Sequence, residues 1–160
     1  MTKLTFRPMQ RSDILPLSDW LAALPLLQRY EFTADKARAA LEGALRQADM
    51  LLVCDAEDAP DLACGLAWVM PRGGLGRSAY LRLLAVNQAY AGLGIGAGLL
   101  AQAEQLAARS TQDMLLLVSD FNVDAQQFYR RLGYTQIGAI PDYVLPGVTE
   151  LLFRKRLAGL

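Results

Sequence analysis

The sequence predicts an α/β protein with about seven strands and about four helices in one domain spanning residues 1–160. Three observations carry that expectation. A chain of 160 residues that is 53% hydrophobic and 20% charged can bury a real core. Short apolar runs of strand length alternate with segments of helical period. A glycine-rich segment also lies between an apolar strand and a helical pattern.

Leu4–Arg7 alternates apolar and polar residues and reads as an opening strand stopped by Pro8. Ser12 or Asp13 can cap a helix through Ile14, Leu17, Leu21 and Leu24, ended or bent by Pro25. Thr33 suits the cap of a second helix carrying Ala37, Leu41, Ala44 and Leu45 on one side. Met50–Cys54 reads as a strand, residues 55–61 as a turn, Leu62–Met70 as a strand, Pro71–Arg77 as a glycine turn and Ser78–Val86 as a long strand. Arg72 and Arg77 flank that glycine turn and read as a solvated hairpin end. Beyond the glycine segment, Ile95, Leu99, Leu100, Ala103, Leu106 and Ala107 recur at helical spacing. Met114–Val118 is apolar throughout, as in a strand covered on both faces. Asn122 can cap a short helix with Ala125, Phe128, Tyr129 and Leu132 on one face and Gly133 after its end. Tyr134–Ile140 and Glu150–Arg156 are the closing strands.

Composition excludes several function classes. Lys plus Arg and Asp plus Glu balance at 16 each, which argues against a nucleic-acid partner. The Arg154-Lys155-Arg156 run is short enough to be a solvated strand end. No histidine occurs, so histidine triads, histidine metal ligands and a histidine base are absent, and no metal site is expected. Cys54 and Cys64 match no zinc or redox spacing and read as small core residues. No segment has the length and apolarity of a signal peptide or membrane span, so no membrane partner is expected and the chain reads as cytoplasmic.

Glycine costs roughly 1 kcal/mol relative to alanine inside a helix. Gly92, Gly94, Gly96 and Gly98 at alternate positions therefore suit a place where backbone must approach a ligand closely. Amide groups at a helix N-terminus lack internal partners and carry partial positive charge, which favours a phosphate or pyrophosphate. Gly92-Leu-Gly94-Ile-Gly96-Ala97 also satisfies a dinucleotide fingerprint, with Asp120 as the ribose acid. Asn87–Ala91 separate these glycines from the strand, however, and too little chain follows to build the large doubly wound sheet. A purely structural turn is a further alternative, and a P-loop is excluded because no Gly-Lys-Ser/Thr follows.

Val86 followed by Tyr90-Ala91-Gly92-Leu93-Gly94-Ile95-Gly96 resembles the acyl-CoA signature Q/R-x-x-G-x-G/A of the GNAT-type N-acetyltransferases. Asn122-x-x-Ala125-x-x-Phe128-Tyr129-x-x-Leu132-Gly133-Tyr134 is similar to the downstream block of that family. Ala91 departs from it, standing where Gln or Arg is usual, and weaker cofactor binding is expected. The resemblance implies a central mixed, mostly antiparallel sheet, acetyl-CoA as co-substrate and a primary amine as acceptor, attacked directly. It implies that Ala91, Gly92, Leu93, Gly94, Ile95, Gly96 and Ala97 hold the pyrophosphate. Leu84, Ala85 and Val86 would pair with the pantetheine arm, the Leu84 or Ala85 amide polarising the thioester carbonyl. It makes Tyr129 the proton donor to the leaving sulfur, with Asn122 hydrogen-bonding the cofactor or capping its helix. A homodimer would be unsurprising for the family.

Many relatives carry a glutamate on the strand leading into the glycine loop, where Tyr80 stands here. Asp120, Asp142 and Glu150 are the remaining candidates for the base. Trp20, Tyr30, Phe32, Trp68, Tyr80 and Tyr143 are candidates to line the acceptor pocket, with Asp142 or Glu150 meeting a cation. A non-catalytic acyl-CoA sensor is the rival reading, and a nicotinamide-dinucleotide protein the third.

Overall fold

The structure is a computed structural model; it describes residues 1–158, apart from the side chain of residue 61. The elements run β1 (Leu4–Pro8), α1 (Ile14–Ala23), α2 (Pro25–Arg29), α3 (Ala34–Arg46), β2 (Met50–Ala56), β3 (Ala59–Gly74), β4 (Ser78–Val86), α4 (Ile95–Ala107), β5 (Asp113–Ser119), α5 (Val123–Arg131), β6 (Thr135–Pro141) and β7 (Thr149–Arg156). The strands form a seven-stranded sheet in the order β1-β2-β3-β4-β5-β7-β6. β4 and β5 pair in parallel, whereas β1 with β2, β2 with β3, β5 with β7 and β6 with β7 are antiparallel. Pro8 is tolerated within β1 because that strand lies at the sheet edge.

Chain contacts divide the molecule into two compact units. The first comprises Met1–Val69 and Leu83–Ala103. Its core gathers Ile14, Leu17, Trp20 and Leu21 of α1, Leu41 of α3, Val53 of β2, and Leu66 and Trp68 of β3. Thr33 caps α3 as the sequence predicts, its hydroxyl accepting from the Lys36 amide. Pro25 does more than end α1. It stands at the first position of a separate helix, α2, where its fixed φ is favourable and a missing N–H costs nothing. Cys54 and Cys64 are buried and unpaired, and the Cys64 thiol donates to the Cys54 carbonyl at 3.1 Å.

The second unit comprises Met70–Arg82 and the described residues from Glu104 onward. Met114, Leu116 and Phe153 are fully buried within it, and the Arg130 guanidinium lies 5.2 Å from the Phe153 ring centre. The segment expected to turn from Pro71 instead stays in β3 through Gly74. Glycine here answers crowding: a Cβ on Gly74 would come within 2.9 Å of the Leu115 side chain and 3.1 Å of Ser78. α5 ends in a complete Schellman motif. Gly133 takes φ +96°, its amide donates to Arg130 and that of Tyr134 donates to the Tyr129 carbonyl. The closing basic run is not merely solvated: Arg154 and Arg156 face Asp113, and Lys155 bonds Glu104, which also accepts from the Tyr134 hydroxyl.

Candidate active site

In the first unit, β4 leads into a short 3-10 turn, Gln88–Tyr90, capped by Asn87, whose side chain accepts from the Ala89 amide. The chain then extends through Ala91 and reaches α4 by way of Gly92 and Gly94, both at φ +81°. Only glycine takes that conformation at little cost, and a Cβ at either position would point into open space. The amide of Ala91 is committed to the Gln88 carbonyl at 3.2 Å, which corrects the expectation that the donor set begins there. The first return hydrogen bond of α4 runs from Gly98 to Gly94. Among the described residues, the amides of Gly92, Leu93, Gly94, Ile95, Gly96 and Ala97 therefore have no protein acceptor. This is a run of main-chain donors beside open space at the positive end of a helix.

Leu84, Ala85 and Val86 form the last residues of β4. The parallel ladder with β5 covers only Ala79–Leu81 against Met114–Leu116, and β4 runs on to Val86 beyond it. Ala85 is buried, while Leu84 and Val86 are half-buried.

In the second unit, Asn122 follows β5 and caps α5, its side-chain oxygen accepting from the Ala125 amide at 3.2 Å. Tyr129 lies on α5 and is 9% exposed. It packs edge-on against Phe128 and Tyr134, with centroids 5.1 and 5.6 Å away. Among the described residues its hydroxyl has no hydrogen-bond partner, and no wholly buried side-chain oxygen or nitrogen lacks one. The Tyr129 oxygen is thus not sealed in the core. Burial of the ring raises the phenol well above its ordinary value, so it stays protonated through the neutral range.

The candidate carboxylates separate clearly. Asp120 is exposed and accepts from the Thr149 amide. Asp142, at φ +52°, accepts from the Gly147 amide at 2.6 Å. Both organise the turn into β7. Glu150 is only 6% exposed. It lies opposite Ser119 on β5 and Ile140 on β6, and alternation places it on the sheet face shared by Ser119, Leu117 and Leu115. Tyr80, opposite Leu115, lies on that face too. The Tyr80 phenol is raised by burial and by Tyr143 and Glu150, against a lowering influence from Arg82. Tyr80 and Glu150 thus share one sheet face, and Tyr143, Glu150 and Arg82 all lie within electrostatic range of the Tyr80 phenol. The sequence alone does not rank Glu150 above the other acids, because its burial follows from three-strand register.

Two expected pocket residues belong elsewhere. The Trp20 indole donates to the Ala63 carbonyl at 2.8 Å and that of Trp68 to Asp49 at 2.9 Å. Both rings are core of the first unit. Tyr30 and Phe32 are half-buried beyond α2.

Comparison with known proteins agrees with this geometry. Residues 47–136 match the family described as Acetyltransferase (GNAT) domain. Blasticidin-S acetyltransferase of Streptomyces morookaense is 30% identical over 141 residues, covering 86% of this chain and 100% of that protein. An aminoglycoside 6'-N-acetyltransferase complexed with coenzyme A shares the fold at TM-score 0.79 and 17% identity, covering 98% of each chain. The protein yncA from Salmonella typhimurium, solved with its cofactor acetyl-CoA, does so at TM-score 0.75 and 16% identity, covering 97% of this chain and 94% of its own. The chain belongs to the GNAT acetyltransferase family. It is an N-acetyltransferase, with acetyl-CoA as co-substrate and no metal-binding cluster among its described residues.

Proposed function

We propose that this enzyme acetylates a primary amine on a small, cationic molecule of the antibiotic type, by direct attack and in the cytoplasm. The observation that carries the acceptor reading is the buried Glu150 carboxylate on the sheet face that also bears Tyr80. A buried carboxylate on a face that also carries a phenol ring suits an ammonium group, which gains both ionic and ring-face contacts. The named activities of the relatives, on blasticidin S and on aminoglycosides, support the same class.

The residues of this chain divide the work. The six amides from Gly92 to Ala97 hold a diphosphate without any side chain, and their lack of protein acceptors is why the cofactor fits there. Bound acetyl-CoA supplies the activated acetyl thioester. The backbone of Leu84–Val86 offers strand-like hydrogen bonds to an amide-bearing arm, and the Leu84 or Ala85 N–H is the donor for charge developing on a carbonyl oxygen. Asn122 adds its side-chain amide. Tyr129 holds its proton ready at Oη for the departing sulfur. Glu150 orients the incoming ammonium and takes its proton, directly or through water. An alkylamine near ~10.4 must lose that proton before it becomes a nucleophile.

Incubation with acetyl-CoA and a panel of amines including blasticidin S and aminoglycosides, read by thiol release and product mass, tests this function. Acetylated product with at least one cationic amine is the expected result. Tight CoA binding with no release across the panel would instead make the chain an acyl-CoA sensor. Glu150→Gln is expected to raise the acceptor KM and lower kcat, while the KM for acetyl-CoA stays within about twofold. An unchanged acceptor KM and kcat would remove Glu150 from the site.

A further inference from the structure

A cavity of about 350 Å³ opens on the second unit, where the end of the β3–β4 hairpin, the segment after α4 and the first residue of β5 meet. Arg72, Arg77 and Arg109 line it. Among the described residues none of these three guanidinium groups makes an ion pair or side-chain hydrogen bond. One carboxylate, Asp113, also faces the cavity, but Arg154 holds it at 2.9 Å and Arg156 lies 3.7 Å from it. The region is thus strongly basic on a chain whose total charge is zero. A single solvated arginine at a hairpin end needs no explanation. Three unpaired around one concavity repel one another and favour an anion between them.

The neighbouring helix end does not oppose this. A helix C-terminus carries partial negative charge through free carbonyls. Here the Ala107 carbonyl accepts from the amides of Ser110 and Thr111 and from the Thr111 hydroxyl, and that of Leu106 accepts from Arg109. Ser110 and Thr111 also line the cavity.

We propose that this cavity is a second anion site, taking a small molecule that bears a phosphate or diphosphate group. Arginine forks match such oxyanions with paired hydrogen bonds. The volume lies at the lower end of small-ligand sites, and no aromatic side chain lines it to stack a nucleic-acid base. The site is distinct from the catalytic groups of the same unit. Asp113 begins β5, and Asn122 lies beyond its far end, roughly 20 Å away at ~3.3 Å per strand residue.

The test is calorimetric titration of inorganic pyrophosphate into protein already saturated with CoA, so that the Gly92–Ala97 amides are engaged, at constant ionic strength set with sodium chloride. The expected result is one additional pyrophosphate bound, weakened by about tenfold or more in the R77A/R109A double variant. CoA affinity and the thermal midpoint of that variant are expected to match the wild type, since both side chains are exposed. R77K/R109K is expected to fall between the two, keeping charge but losing the fork. No heat from pyrophosphate in the CoA-saturated protein, or equal binding by the alanine variant, would overturn the proposal. Neither result bears on acetyl transfer.

Discussion

Tyr129 shows how one residue serves packing and chemistry together. Its ring sits between Phe128 and Tyr134 as core, and its hydroxyl is left without a protein partner. Tyr129→Phe keeps the ring and deletes the proton, so kcat is expected to fall about 100-fold while CoA affinity changes little. Because burial raises the phenol, its deprotonation lies above the neutral range and cannot shape the rate near pH 8. A rate–pH profile with an alkaline limb near pH 8 that vanishes in the phenylalanine variant would contradict this assignment.

Among the elements, the junction of β4 and α4 depends on two left-handed residues. Alanine at Gly94 meets no steric neighbour, yet it must adopt φ +81°, which costs roughly 1–2 kcal/mol. Gly94→Ala is therefore expected to weaken CoA binding by about tenfold, through a displaced loop, with only a small drop in thermal midpoint. Calorimetry with CoA measures the first and thermal unfolding the second. A bulky Trp at Gly94 would fill the open side of the loop and is expected to abolish CoA binding. The contrast between the two substitutions separates backbone strain from occlusion.

For the molecule as a whole, Arg7 of β1 is a polar anchor between elements. It bonds Asp13 at 2.8 Å and Asp55 at 2.6 Å, joining β1 to β2 and to the start of α1. Burial alone would raise the Asp13 carboxyl, but Arg7 and the Gln10 amide outweigh it and hold it below its usual range. Its contribution to stability is therefore full above pH ~4 and is lost as pH falls through the lowered folded value. Arg7→Ala is expected to cost about 2–4 kcal/mol near neutrality, since it strands a buried carboxylate. Denaturant titrations should show that gap narrowing in acid, and a constant gap would reject the assignment.

Local chemistry was legible where it is written in consecutive residues. Thr33, Asn122 and Gly133 mark their helix boundaries because capping depends on nearest neighbours. The strand order along the chain was readable from local apolar runs, whereas α2 was not, because Pro25 reads equally as a helix stop and as a helix start. What comes from strand register was not: the early end of the β4–β5 ladder, the burial of Glu150, and the capture of both tryptophan indoles by partners distant in sequence. The stretch after Met70 misled because glycine serves close packing there as well as turning.

The two thiols carry a last consequence. Both are inaccessible, and burial together with the neighbouring Cys64 pushes Cys54 up to about 12, while burial also raises Cys64. An enzyme that spends its life beside a reactive acyl donor thus presents it with no nucleophilic sulfur of its own. The native protein should resist self-acylation and stay silent to a chromogenic disulfide reagent until it unfolds.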